Sequence, residues 1–377
     1  MTVQTNIQLS RPEPATDLLL EVNDLTVGFP TEDGLVSAVR GVSYELRRGE
    51  SLGIVGESGS GKSVSSMALL GLLPKTARIT GSARFKGEEI LGKTEKQYTA
   101  LRGKEISMIF QDPLTSLNPV YSVGFQISEA VLAHNDVSKA AAQGRAVELL
   151  ELVGIPNAKQ RVDNYPHELS GGMRQRVVIA IAMANNPDVI IADEPTTALD
   201  VTVQAQVLEA LEAARAETGA ALVLITHDLG VIAGHADRIC VMYAGKLVEK
   251  GGVEDVFYRP RMPYTLGLLG SLPRVDATAS HRLTPIVGAP PSLVNLPPGC
   301  PFTPRCPLAT DLCDQNEPAL TVTAQADHLA ACHYHERLDG VSSAQLFAPT
   351  SADEPADVSP PADLPVVEDV RDQEVDQ

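Results

Sequence analysis

No apolar run in this 377-residue chain approaches the roughly eighteen residues that a membrane-spanning helix needs. The longest, residues 177–184, is far too short. The polar N-terminal stretch, Met1 to about Ala15, lacks the basic-then-apolar layout of a secretory leader. The chain is therefore expected to be soluble and cytosolic, with any membrane role exercised through partner chains. Positive charge is also scarce. Thirty Lys and Arg face 48 Asp and Glu, a formal net charge of −18. A nucleic-acid-binding surface would be basic, so no nucleic-acid partner is expected. No internal repeat and no long heptad run is present. Cysteine is sparse: there are five, and four lie together near the C-terminal end.

What remains is a globular composition, long enough for two domains and tails. Residues 1–17 read as a flexible N-terminus. Residues 18–22, 25–29 and 36–46 read as strands leading into a third, 51–55. A strand-like piece follows at 81–85. From about 94 to 175 the pattern turns mostly helical, with helical spacing at 127–134 and 140–153. Strands at 189–192, 221–225 and 238–243 then alternate with helices at 201–217 and 229–236. This alternation predicts an α/β fold with a mainly parallel sheet, an antiparallel lead-in and a helical insertion, all within residues 18–260. After Pro260 the composition shifts toward Pro, Leu and Cys, which marks a second, small domain over 261–337. Residues 338–377 read as a disordered tail. Within 351–377 it sets nine acidic side chains against Arg371 alone.

The densest signal is Gly56-Glu57-Ser58-Gly59-Ser60-Gly61-Lys62-Ser63, between an apolar strand and a helix. That is the context of a phosphate-binding loop. Its glycines allow consecutive N–H groups to face an anion, and the helix N-terminus adds partial positive charge. Lys62 is expected to reach the β- and γ-phosphates, and the Ser63 hydroxyl to ligate Mg²⁺. Asp193 and Glu194 directly follow the buried run 189–192. A carboxylate there suits a Mg²⁺ held mostly through water, and its neighbour can orient or deprotonate an attacking water. His227 follows the next strand, where an imidazole can meet a γ-phosphate or that water, although a lone His in a turn is more often a surface residue. Gln111 ends the strand-like run 106–110 and could sense Mg²⁺ or water. Leu169-Ser170-Gly171-Gly172-Met173 opens a helix that Ser170 can cap. Its glycines would let backbone N–H groups approach a phosphate, yet locally it also reads as an ordinary capped turn.

In their order and spacing, the glycine loop, Gln111, the Leu-Ser-Gly-Gly-Met segment, Asp193-Glu194, Ala198-Leu199-Asp200 and His227 resemble an ABC transporter ATPase. The resemblance covers about residues 18–337. It implies ATP and Mg²⁺ as cofactors and two ATPase domains facing head to tail. Ser170, Gly171 and Gly172 of one chain then complete the ATP site of the other. Gln111 couples that site to the membrane subunits, Asp200 contacts the opposite site, and Phe29 stacks on adenine. Met173 departs from the family's commoner Gln.

Residues 259–265, 288–293 and 299–307 resemble the C-terminal extension of oligopeptide and dipeptide importer ATPases, with Met262 where His is usual. That narrower resemblance implies a homologous second ATPase, two transmembrane permease subunits, an extracytoplasmic substrate-binding protein, and a peripheral place on the cytoplasmic side of the membrane. Cargo is chosen by those other chains; nickel complexes and glutathione stay open beside peptides. A soluble ABC protein of DNA repair or the ribosome is the alternative. It is disfavoured by the acidic balance and by the lack of a heptad run. Cys300, Cys306, Cys313 and Cys332 are clustered thiols in a cytosolic protein, which points to a metal centre rather than disulfides. Free buried cysteines are the plain alternative. The resemblance implies a 4Fe–4S cluster; zinc is the other choice, with His328, His333 and His335 as possible substitute ligands. Cys240 reads as core.

Overall fold

The computed structural model describes residues 18–32, 34–197, 199–272 and 284–347. The expected N-terminal segment 1–17, Ala198 and the acidic stretch beyond residue 347 lie outside the described residues.

Two sheets organise the chain. The first is antiparallel, with order β2-β1-β4-β5, where β1 is Leu18–Thr31, β2 Gly34–Arg47, β4 Arg78–Phe85 and β5 Glu88–Glu89. The second has eight strands in the order β11-β12-β10-β9-β3-β8-β7-β6. In it β3 is Ser51–Val55, β6 Ile106–Ile109, β7 Val189–Asp193, β8 Ala221–Thr226, β9 Arg238–Tyr243, β10 Lys246–Gly252, β11 Thr321–Val322 and β12 Leu329–Ala330. The pairings β6–β7, β7–β8, β8–β3 and β3–β9 are parallel, and the rest of this sheet is antiparallel. Strands β3, β7 and β8 are buried along their whole length. That explains their unbroken apolar runs, because both faces are covered.

The period of two divides these strands between two cores. Leu52, Ile54, Ile191, Val223 and Ile225 face the antiparallel sheet and the helix Lys62–Leu69. Ile190, Ala192, Leu222 and Leu224 face the other way, against Leu149 and Leu150 of the helix Lys139–Leu152 and Val177 of the helix Gly171–Ala182. Among the described residues no helix is long and apolar enough to cross a membrane.

Two expectations need correcting. The mostly helical insertion expected over about 94–175 does not fill that interval. It contains β6, which pairs with β7 and forms one edge of the main sheet. The insertion proper is the group of helices Pro113–Ser116, Val123–Leu132, Lys139–Leu152 and Ala158–Arg161.

Nor does the cysteine-rich extension stand as a small domain with its own core. Met262, Tyr264, Phe302 and Ala331 belong to the same buried cluster as the helices. Strand β12 continues the main sheet by pairing with β10. The weld is polar as well. The Glu249 carboxylate is fully buried and accepts from the backbone N–H groups of Arg261 (2.6 Å) and Met262 (3.2 Å), with His328 Nε2 at 2.7 Å. A buried carboxylate so satisfied avoids the penalty of an unpaired one. Full burial of Phe302 and Tyr264 adds about 2–3 kcal/mol each.

Candidate functional site

Residues 56–61 span the gap between β3 and the helix Lys62–Leu69, whose N-terminus has no side-chain cap. Its first-turn N–H groups thus stay available to an anion. The turn needs glycine at position 61. There φ is +99°, and a Cβ would lie 2.4 Å from the Ala38 carbonyl oxygen. Lys62 is buried, and its Nζ donates to the carbonyls of Gly56 (2.7 Å) and Glu57 (3.1 Å). It stands 4.0 Å from Glu194 Oε1. Burial pulls the Lys62 pKa down, and the carboxylates of Glu194, Asp193 and Glu57 oppose that pull. Ser63 Oγ donates to Asp193 Oδ1 at 2.9 Å. Burial raises the Asp193 pKa and Glu194 adds to the rise, while the Ser63 hydrogen bond and Lys62 oppose it.

Glu194 is the hub. It follows β7 with φ +47°, a left-handed conformation that costs a non-glycine residue energy. Its backbone N–H is tied to the Ile225 carbonyl at 2.8 Å, which holds that turn against β8. Its Oε2 accepts from Thr197 Oγ1 (2.8 Å) and Gln111 Nε2 (3.1 Å) and lies 3.3 Å from His227 Nδ1. Three segments distant in sequence therefore meet around one carboxyl group. They line a cleft of about 580 Å³ together with Glu57, Ser58, Gly59, Gly61, Lys62 and Ser63. One end of the cleft offers an anion cradle and a lysine. The other offers a carboxylate held ready to orient or accept from a water. Oxygen donors at Ser63 and Asp193 suit a hard divalent cation.

Other expected residues fall elsewhere. Phe29 pairs with Val36 in the β1–β2 ladder and packs against the core between the sheets, outside the cleft lining. Ser170 caps the helix Gly171–Ala182, accepting from Met173 N at 3.3 Å. Gly172 is required for close helix packing, since a Cβ there would lie 2.3 Å from Val203 Cγ1. Asp200 caps the helix Val201–Thr218, accepting from Val203 N at 3.0 Å. Residues 170–172 and Asp200 thus share one corner of the molecule, and none of them lines the chain's own cleft.

Sequence reasoning did not find Thr197, three residues past Glu194 in the turn that follows β7. It also missed Tyr264 and Arg305, both in the extension. Tyr264 Oη accepts from Glu57 N at 2.8 Å, and Arg305 pairs with the Glu57 carboxylate through two bonds of 2.7 and 2.8 Å. Roughly two hundred residues or more separate these partners from the loop, so no local pattern could reveal them.

The four C-terminal cysteines line one small apolar cavity of about 20 Å³ with Phe302 and Tyr334. Burial pushes the thiols of Cys300, Cys306 and Cys332 up, Cys306 to about 12 and Cys332 to about 11, and neighbouring thiols push the same way. Among the described residues, however, no group of three or more His, Cys, Asp or Glu is arranged to hold a metal ion. The cavity has room for about one water. With its walls where they stand, the cavity does not set the four thiols in a metal-holding arrangement, either for the expected 4Fe–4S cluster or for zinc. Two of the substitute ligands are already engaged: His328 with Glu249, and His333 with the Asn316 carbonyl at 2.9 Å. Cys240 is fully buried in β9, where burial raises its pKa to about 11.

Comparison with known proteins agrees with this geometry. Residues 39–197 match the family model for the ABC transporter, and residues 248–313 match the one for the oligopeptide/dipeptide transporter C-terminal region. The chain is 56% identical over 339 residues to the oligopeptide transport ATP-binding protein OppD of Mycobacterium tuberculosis, covering 90% of this chain and 55% of that protein. It thus spans about half the length of its mycobacterial relatives. It is 54% identical to OppD of Salmonella typhimurium, covering 81% of this chain and 91% of that protein. It is 51% identical to the dipeptide transport ATP-binding protein DppD of Bacillus subtilis, covering 83% and 94%. Among solved structures, the dimeric post-hydrolysis state of the ATP-binding cassette MJ0796 bound to ADP and Pi matches 62% of this chain and 99% of its own, with TM-score 0.56 and 26% identity. The chain belongs to the ABC transporter ATP-binding proteins, among those of oligopeptide and dipeptide transport.

Proposed function

We propose that this chain hydrolyses ATP to power peptide import, paired with a second, homologous ABC ATPase and docked on two membrane permease subunits. An extracytoplasmic binding protein delivers the cargo, and the chain sits peripherally on the cytoplasmic face. The observation that carries the reading is the convergence of Gln111, Thr197 and His227 on Glu194 beside the phosphate loop. In this reading the loop N–H groups and Lys62 bind the phosphates. Ser63, Asp193 and Gln111 would hold Mg²⁺, whose charge would offset that of the phosphates. Glu194 orients and deprotonates the water, and His227 steadies the γ-phosphate. Positioning and charge stabilisation do the work. The chain's residues 170–172 and Asp200 serve the partner's site, and Phe29 stacks on adenine. The side chains of Phe110, Val120, Tyr121 and Phe125 are exposed close to Gln111 in sequence. Exposed apolar side chains of this kind, with the Tyr121 and Phe125 rings stacked at 4.7 Å, suit a permease contact.

The test is co-expression with the adjacent permease subunits. Co-purification and ATP-dependent peptide uptake by the reconstituted complex are expected. A chain that hydrolyses ATP at full rate alone and retains no membrane subunit would favour the soluble alternative.

We further infer that Cys300, Cys306, Cys313 and Cys332 serve as ligands of a 4Fe–4S cluster, with zinc second. Supporting this are four soft donors on one cavity, whose mutual repulsion as thiolates a cation would relieve. The cavity walls would have to part to admit it. Anaerobically purified protein should then show an absorbance band near ~400 nm. One zinc per chain without that band would select zinc, and neither would leave plain buried thiols.

A further inference from the structure

The backbone N–H and the carboxylate of the phosphate loop's second residue are both held by the C-terminal extension. Glu57 N donates to Tyr264 Oη at 2.8 Å, and the Glu57 carboxylate takes both Nη groups of Arg305 at 2.7 and 2.8 Å. The Arg305 side chain is 4% exposed. It is fixed from behind by the Val287 carbonyl at 3.3 Å, and its guanidinium lies over the rings of Tyr243 (5.9 Å) and Phe302 (5.8 Å). Those rings pack with Tyr264 at 4.5 and 5.5 Å, so both grips share one aromatic block. A bidentate Arg–carboxylate pair fixes direction as well as distance. The Glu57 carbonyl, on the same residue, holds Lys62.

The pair also has an electrostatic consequence. Glu57 lines the cleft meant for phosphates. Left unpaired, its charge would repel an anionic ligand at short range, where screening is weak. Arg305 lies in the turn Thr303–Arg305, flanked by Cys300 and Cys306. Cys306 N donates to the Thr303 carbonyl at 3.2 Å, and Cys300 N to the Cys313 carbonyl at 2.7 Å.

We propose that Arg305, assisted by Tyr264, is a positioning residue for the phosphate loop: it orients Glu57, cancels its charge and ties the loop's affinity for nucleotide to the turn between Cys300 and Cys306. The affinity part rests on reading residues 56–63 as an ATP site.

The test measures Mg-ATP affinity of the full chain for R305Q, E57Q and the double variant, with amide hydrogen exchange of residues 56–61 in nucleotide-free protein. R305Q leaves Glu57 unopposed, so it should weaken ATP binding about tenfold and speed exchange in the loop. The double variant removes the repelling carboxylate and should recover most of the affinity. R305K keeps the charge without the fork and should fall between R305Q and wild type, which preserves the test if R305Q folds poorly. Wild-type affinity in R305Q, or a double variant no better than R305Q, would overturn the proposal. Failure of wild-type protein to bind ATP would instead overturn the ATP-site reading, and the exchange measurement would still report on the brace.

Discussion

Replacing Glu194 by Gln is expected to cut ATP turnover in the assembled complex by about 10²- to 10⁴-fold while ATP stays bound. The variant keeps the shape of the side chain and an oxygen that can accept from Thr197 and Gln111, both now within 3.1 Å of Oε2. What it loses is the basic carboxylate that would take a proton from water. The phosphate loop, Lys62 and Ser63 are untouched. Removing a negative charge 4.0 Å from Lys62 Nζ also frees that ammonium for phosphate, so ATP affinity should hold or tighten. Phosphate release and bound nucleotide, measured on one preparation, check this. Normal hydrolysis by the variant would remove Glu194 from the role of base.

The second large effect is predicted at Gly171. This residue is exposed at the first position of its helix, and the nearest atom to an added Cβ is Leu199 Cδ2, at an ordinary 3.6 Å. Gly171→Asp should therefore fold and bind ATP in its own cleft as the wild type does. A carboxylate at that helix N-terminus would, however, repel phosphates presented by a partner chain. Hydrolysis in the assembled complex should fall about 10²- to 10³-fold, the scale of losing one donor that stabilises transition-state charge. Gly172 offers no such clean test, since its missing Cβ makes room for Val203.

Much of this was legible in the sequence because it is local. A fully buried parallel strand needs an unbroken apolar run, and residues 52–55, 189–192 and 221–225 supply one in each of three strands. The phosphate loop is contiguous, so its eight residues announce it. The carboxylates and His227 stand at strand ends, where a parallel sheet gathers ligand groups. Illegible were the features made by tertiary contact. Thr197 has no pattern to distinguish it from its neighbour Thr196. Arg305 and Glu57 are joined across 248 positions, and only the fold brings them together. The extension looked separable because its composition changes at Pro260. Composition does not report that β12 joins the main sheet or that Phe302 enters the common core. The cysteines announced their spacing and common region, but not the size of the cavity they line.

As proposed, the cleft around Lys62 and Glu194 is one part of a hydrolysis site that another chain's residues 170–172 complete. The most direct measurement compares ATP binding by the isolated Gly171→Asp chain with ATP hydrolysis by the complex containing it. Wild-type binding by the isolated chain and lost hydrolysis in the assembly are expected. Weakened ATP binding by the isolated variant, or undiminished hydrolysis in the complex, would contradict it.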